Sequence, residues 1–81
     1  MNSNYNNYEL NVNSFERISK NNIGKNIIIY ATYGSEKKEF KGIIEDATSS
    51  FIIISDPTKG EWYLILLIDI DYIKFLEKVN L

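Results

Sequence analysis

Residues 51–67 read FIIISDPTKGEWYLILL. A short apolar run stops, a cluster of turn formers follows, and a second apolar run begins. Asp56 can bond the backbone two residues on. Pro57 presets φ for the second position of a type I turn, and Gly60 accepts the left-handed conformation that follows. The stretch therefore predicts a hairpin whose return strand opens on Trp62 and Tyr63. A large aromatic at a strand start beside a turn can stand half exposed, and Trp is a common interface anchor. Trp62, Tyr63, Asp56 and Lys59 are the candidate partner-binding residues.

Working outward, everything after Gly24 reads as strand. NIIIYATY (26–33) is β-branched and aromatic and ends at Gly34-Ser35. EFKGIIEDA alternates, with Phe40, Gly42 and Ile44 on one face and Lys41, Ile43 and Glu45 on the other. Gly42 inside a strand marks a strong bend or a close backbone approach. The expected strands span about 26–33, 38–47, 51–56, 61–67 and 71–76, joined by short linkers. Several carry apolar residues on both faces, so a flat sheet would leave one apolar face wet. The predicted fold is all-β with a short N-terminal helix: a five-stranded, strongly bent small barrel. Trp62, Tyr63, Tyr72, Phe75, Tyr30 and Tyr33 are expected to fill its core rather than to form a ligand platform, with Trp62 the best single candidate among them for an interface anchor.

Upstream, Phe15, Ile18 and more loosely Ile23 can share one side of a helix over about 13–22. Asn13 or Ser14 can cap it, Glu16 suits its first turn, and Gly24 stops it. Residues 1–11 are Asn-rich, with too little apolar surface to offset ordering, and read as a flexible tail. Tyr5 and Tyr8 leave two readings of that tail open, a segment without a role and a partner-binding arm. Residues 12–81 form the expected domain.

The composition narrows the chemistry. In 81 residues, 44% hydrophobic and 14% aromatic content suffices for one core. With no cysteine and no histidine, thiolate metal sites, the usual zinc sites and His general bases are excluded. The net charge of −2 gives no global attraction to nucleic acid or anionic membrane. Neither a secretory signal nor a membrane-spanning run is expected, and the chain should be made in the cytoplasm. Glu45, Asp46, Asp56, Asp69 and Asp71 sit at strand ends and turns, where acids serve solubility and turn geometry. DPTKGE lacks the oxygen-ligand spacing of a calcium loop. No catalytic residue, metal ligand or cofactor site is assigned. Lys37, Lys38 and Lys41 form a candidate basic patch, but Glu36, Glu39 and Glu45 interleave with it and read as a charge-balanced face.

FKGIIEDA, IIISDPTKGEWYLI and IDYI, within residues 24 to about 80, resemble the conserved domain of the spore coat protein GerQ family of endospore-forming bacteria. The resemblance implies a non-enzymatic coat protein. Such a protein supports germination as a scaffold for a cortex-lytic cell-wall hydrolase, alongside other coat proteins. It would be made in the mother-cell cytoplasm and assembled into the spore coat. Family members are also transglutaminase substrates through a tail bearing Lys and Gln. Here residues 1–14 contain no Lys and the chain contains no Gln, so tail cross-linking is not carried over.

The order of helix and strands is also similar to the Sm-like and SH3-like small barrels. Sm-like proteins bind RNA through an Asp/Asn pair after the second strand and an Arg-Gly pair before the last. Here those places read ATSS and LLID, so both elements are missing. An Sm-like nucleic-acid-binding ring remains the alternative function. An exposed sheet edge would invite pairing and a homo-oligomer.

Overall fold

The computed structural model describes residues 14–81; the segment read as a tail lies outside them. Residues 14–21 are helical (α1), and five strands follow: β1 Asn26–Tyr33, β2 Glu36–Ala47, β3 Phe51–Asp56, β4 Glu61–Leu66 and β5 Ile70–Phe75. They form one antiparallel sheet in the order β4-β3-β2-β1-β5. The architecture is the small bent sheet with one short helix that the sequence predicts. The sheet stays open: β4 and β5 are its two edges, joined by a 3-10 turn at Leu67–Asp69.

The bend lies in β2. Its residues Glu36–Ile43 pair with β1, and Ile43–Ala47 pair with β3, with a register shift between Ile44 and Asp46. Gly42 sits where the two pairings meet. A Cβ there would come within 3.0 Å of the Ser55 carbonyl oxygen and 3.1 Å of its carbon. The close approach expected of this glycine is therefore present, and the atoms approached are backbone.

Alternation builds the core. Ile27 and Ile29 of β1, Ile44 of β2, Ile52 and Ile54 of β3 and Ile65 of β4 are buried, with Ala31 and Ala47. Each fully buried Ile contributes about 1.5–3 kcal/mol relative to exposure. Phe15 of α1 and Phe40, Tyr63, Ile70, Ile73 and Phe75 pack around this cluster. Among the aromatics expected in the core, Tyr63 and Phe75 pack against it. Tyr72 and Tyr30 instead stack on the outer face, ring centroids 4.4 Å apart, and Tyr33 contacts Phe40 edge-on at the rim. Isoleucine fits the narrow interior of a small bent sheet, and the larger rings are displaced to its border.

Local differences from the expected elements have plain causes. β2 starts at Glu36 because Gly34 and Ser35 alone make the β1–β2 turn, with Tyr33 opposite Glu36. β4 stops at Leu66 because the Leu67 amide donates to the Ser50 carbonyl (2.8 Å) and opens the 3-10 turn. Ile23 leaves the helical face and is half exposed, since the chain turns at residues 22–24. Asn22 fixes that turn. Fully buried, its Nδ2 donates to the Ile18 carbonyl (2.6 Å) and the Asn80 carbonyl (2.8 Å). Its Oδ1 accepts from the Asn80 amide (2.9 Å), so one side chain ties the end of α1 to the C-terminal segment.

Candidate partner-binding face

The β3–β4 hairpin is held by Asp56. Its carbonyl accepts from the Lys59 and Gly60 amides (3.1 and 2.8 Å), and its Oδ1 accepts from the amide and hydroxyl of Thr58 (3.0 and 2.6 Å). Gly60 takes φ +67°, the left-handed conformation expected of it. The Thr58 hydroxyl bond, more than any other contact, holds the Asp56 carboxyl below the usual aspartate range. Asp56 is thus engaged within its own turn, while Lys59 is exposed beside it.

The strand that leaves this turn separates the Trp-Tyr pair. Tyr63 lies opposite Ile54 and faces inward, its ring 5.2 Å from that of Phe40. Its hydroxyl donates to the Glu61 carboxylate, and that bond raises the phenol above its ordinary pKa. Trp62, expected in the core, instead faces outward opposite Ser55 and is 65% exposed, because strand alternation sends it to the uncovered face of an edge strand. Leu64 (56%) and Leu66 (45%) continue the same outward face, and half-buried Ile53 and Phe51 lie opposite them on β3. Ile68, in the 3-10 turn, is 88% exposed and borders a shallow cleft of about 380 Å³ with Ser49, Ser50, Leu66 and Leu67. The bend does not, then, cover every apolar face. β4 is an edge, and among the described residues no second layer lies over it. The run WYLILL has no polar alternation, so only the strand order reveals which of its residues are wet.

The lysines divide by the same parity. Lys37 and Lys41 share the outer face with Glu39 between them, and Lys74 joins them, since Ile28 pairs with both Lys41 and Lys74. Lys38 points the other way and lies 3.9 Å from Glu36. A groove of about 450 Å³ runs past Lys37, Lys38, Glu39, Asp71 and the stacked tyrosines. Burial, and secondly a hydrogen bond with Glu39, raise the Tyr30 phenol above its ordinary pKa. The Thr32 hydroxyl donates to Asp71 Oδ2 (2.5 Å). Charges of both signs are intermixed throughout. Among the described residues, no group of three or more carboxylates gathers as a metal site, and no helix is long and apolar enough to cross a membrane.

These features define a small barrel-like β-domain whose most distinctive surface is an apolar stripe on an edge strand. Residues 10–81 match the family described as Spore coat protein (Spore_GerQ). Over 68 residues the chain is 46% identical to the spore coat protein GerQ of Bacillus subtilis (strain 168). That match covers 79% of this chain and 38% of the Bacillus protein. The chain belongs to the spore coat protein GerQ family.

Proposed function

We propose that this chain is a non-enzymatic spore coat protein that supports germination by holding a cortex-lytic cell-wall hydrolase in the spore. Family membership supports the coat role. The observation that carries the scaffold reading is Trp62, a large aromatic left 65% exposed at the head of an apolar stripe. A fold of this size gains nothing from leaving such a side chain in water, and Trp anchors interfaces more often than most residues. Lys59 at the turn supplies a polar rim. Asp56 supports the turn rather than the partner, and Tyr63 supports the core beneath it. The domain would be made in the mother-cell cytoplasm and join other coat proteins there. A nucleic-acid role draws less support, because Glu39 separates Lys37 from Lys41 on the only face where those two lysines meet.

The test is recovery of the hydrolase with this chain from sporulating cells, using wild type and Trp62→Ala. The expected outcome is co-recovery with wild type and its loss with the folded variant. Normal hydrolase retention in spores lacking the protein would overturn the proposal. Binding of single-stranded RNA that weakens steeply with salt would favour the nucleic-acid alternative instead.

A further inference from the structure

The two edges of the sheet are built differently. β5 carries Asp71 and Lys74 among its six residues, both exposed. Charges on an edge strand oppose pairing with another chain. β4 has one charged residue, Glu61, at its first position. The rest of β4, Trp62 to Leu66, is five uncharged apolar or aromatic residues with no Pro or Gly, and the β3–β4 register has no bulge. None of the usual devices that blunt an edge is present along that run. Among the described residues, no strand pairs with its free side.

The apolar surface is large for so small a domain. Taking ~200 Å² for a large apolar side chain, the exposed parts of Trp62, Leu64 and Leu66 amount to on the order of 300 Å². Two copies together offer on the order of 600 Å² of apolar side chain along one junction, the range of a weak, reversible interface, to which main-chain pairing along the free edge adds.

We propose that β4 pairs antiparallel with β4 of a second copy, about a two-fold axis at Leu64. Parity restricts the register. Directly opposed residues must lie on the same face, and Trp62, Leu64 and Leu66 are outward while Tyr63 and Ile65 are inward. Trp62 then lies beside Leu66 of the second copy, and Leu64 beside its own equivalent. Glu61 falls outside the paired segment, so no two carboxylates face each other. Pairing of β4 with β5 of another copy would set Asp71 and Lys74 against an apolar run, and would build an open or ring assembly rather than a closed dimer. The contrast between the edges favours the dimer. This inference draws on the same outward stripe as the hydrolase reading, and the two are distinguishable because its test reads mass and not hydrolase retention.

The experiment is sedimentation of the 81-residue chain across the micromolar range. The expected result is a reversible dimer, twice the 9.4 kDa chain mass. Leu64→Lys places two cations face to face and should weaken association by about 100-fold or more, since opposed like charges at an interface cost several kcal/mol. Leu64 is more than half exposed, so the monomer should keep its fold, as circular dichroism will show. The chain has no cysteine, so in Leu64→Cys any disulfide is intermolecular. That variant should cross-link on mild oxidation, whereas Tyr72→Cys, on the charged edge, should not. A wild-type monomer overturns the proposal, including one whose β4 amides resist hydrogen exchange because another segment of the chain covers them. So does a mass above two protomers, a dimer that survives Leu64→Lys, or a dimer that Leu64→Cys cannot cross-link.

Discussion

Replacing Gly42 with Ala adds one methyl group at the point where β2 bends. In most strands that change helps, because Ala restricts the unfolded chain, a gain of about 0.4–1 kcal/mol. Here the sign should reverse. The new Cβ would lie within 3.0 Å of the Ser55 carbonyl oxygen, 3.1 Å from its carbon and 3.3 Å from Ile54 Cδ1. The first two atoms are main chain, held by the pairing of Ser55 with Ile43 and with Trp62. No rotamer change removes them. Either β3 shifts away from β2 or the bend relaxes, and both disturb Ile44 and Ile54 in the core. Overpacking of this kind costs about 1–3 kcal/mol, and a domain of this size loses roughly 4–8 °C of melting temperature per kcal/mol. Thermal unfolding of Gly42→Ala followed by circular dichroism should thus show a fall of roughly 5–20 °C. Ser55→Ala combined with it should give no rescue, because the obstructing atoms are not side chain. A melting temperature equal to or above wild type would refute the close approach and the bend built on it.

Trp62→Ala should change stability by less than about 1 kcal/mol, as exposed substitutions do, while Tyr63→Ala, beneath the same hairpin, lowers the melting temperature clearly; parallel melts of the two variants decide this. Asn22→Ala should cost about 1–3 kcal/mol by stripping partners from the Ile18 carbonyl and both Asn80 backbone groups, and chemical denaturation measures it. Glu77 is held below the usual glutamate range first by the Asn26 amide and then by its side chain, and Asp56 is likewise depressed by Thr58. A depressed carboxyl contributes stability that is present above its unfolded pKa and is lost as pH falls through the folded value. Melting temperature should therefore decline on acidification below the ordinary carboxylate range, and less steeply in Glu77→Gln.

Short-range signals carried most of the fold. Asp56, Pro57 and Gly60 announce their turn because each supplies a local property the turn requires. The alternation in β2 placed Phe40, Gly42 and Ile44 on one face, and Gly42 marked the approach of another strand. The edges were not legible in the same way. Whether Leu64 is buried depends on whether a second layer covers the outward face of β4, and that is settled by residues far along the chain. The same holds for Asn22, whose partner Asn80 lies 58 positions away. A buried Asn and a surface Asn look alike in sequence. The stacking of Tyr30 on Tyr72 likewise follows from the pairing of β1 with β5, which no local pattern dictates.

Trp62 and Tyr63 show how one strand can serve stability and recognition without compromise between them. Adjacent strand residues point to opposite faces, so the pair is divided the moment β4 forms. Tyr63 joins Phe40 under the hairpin, and Trp62 heads the outward stripe with Leu64 and Leu66. Alternation also makes the two roles separable by substitution. Changes at 62, 64 and 66 should act on association while the fold persists; changes at 63 and 65 should act on the fold first. The charged residues on β5 sharpen the point, because they show that the same sheet has a protected edge. An unprotected edge beside it, with its apolar residues aligned on one face, is the arrangement expected of a surface whose natural state is covered.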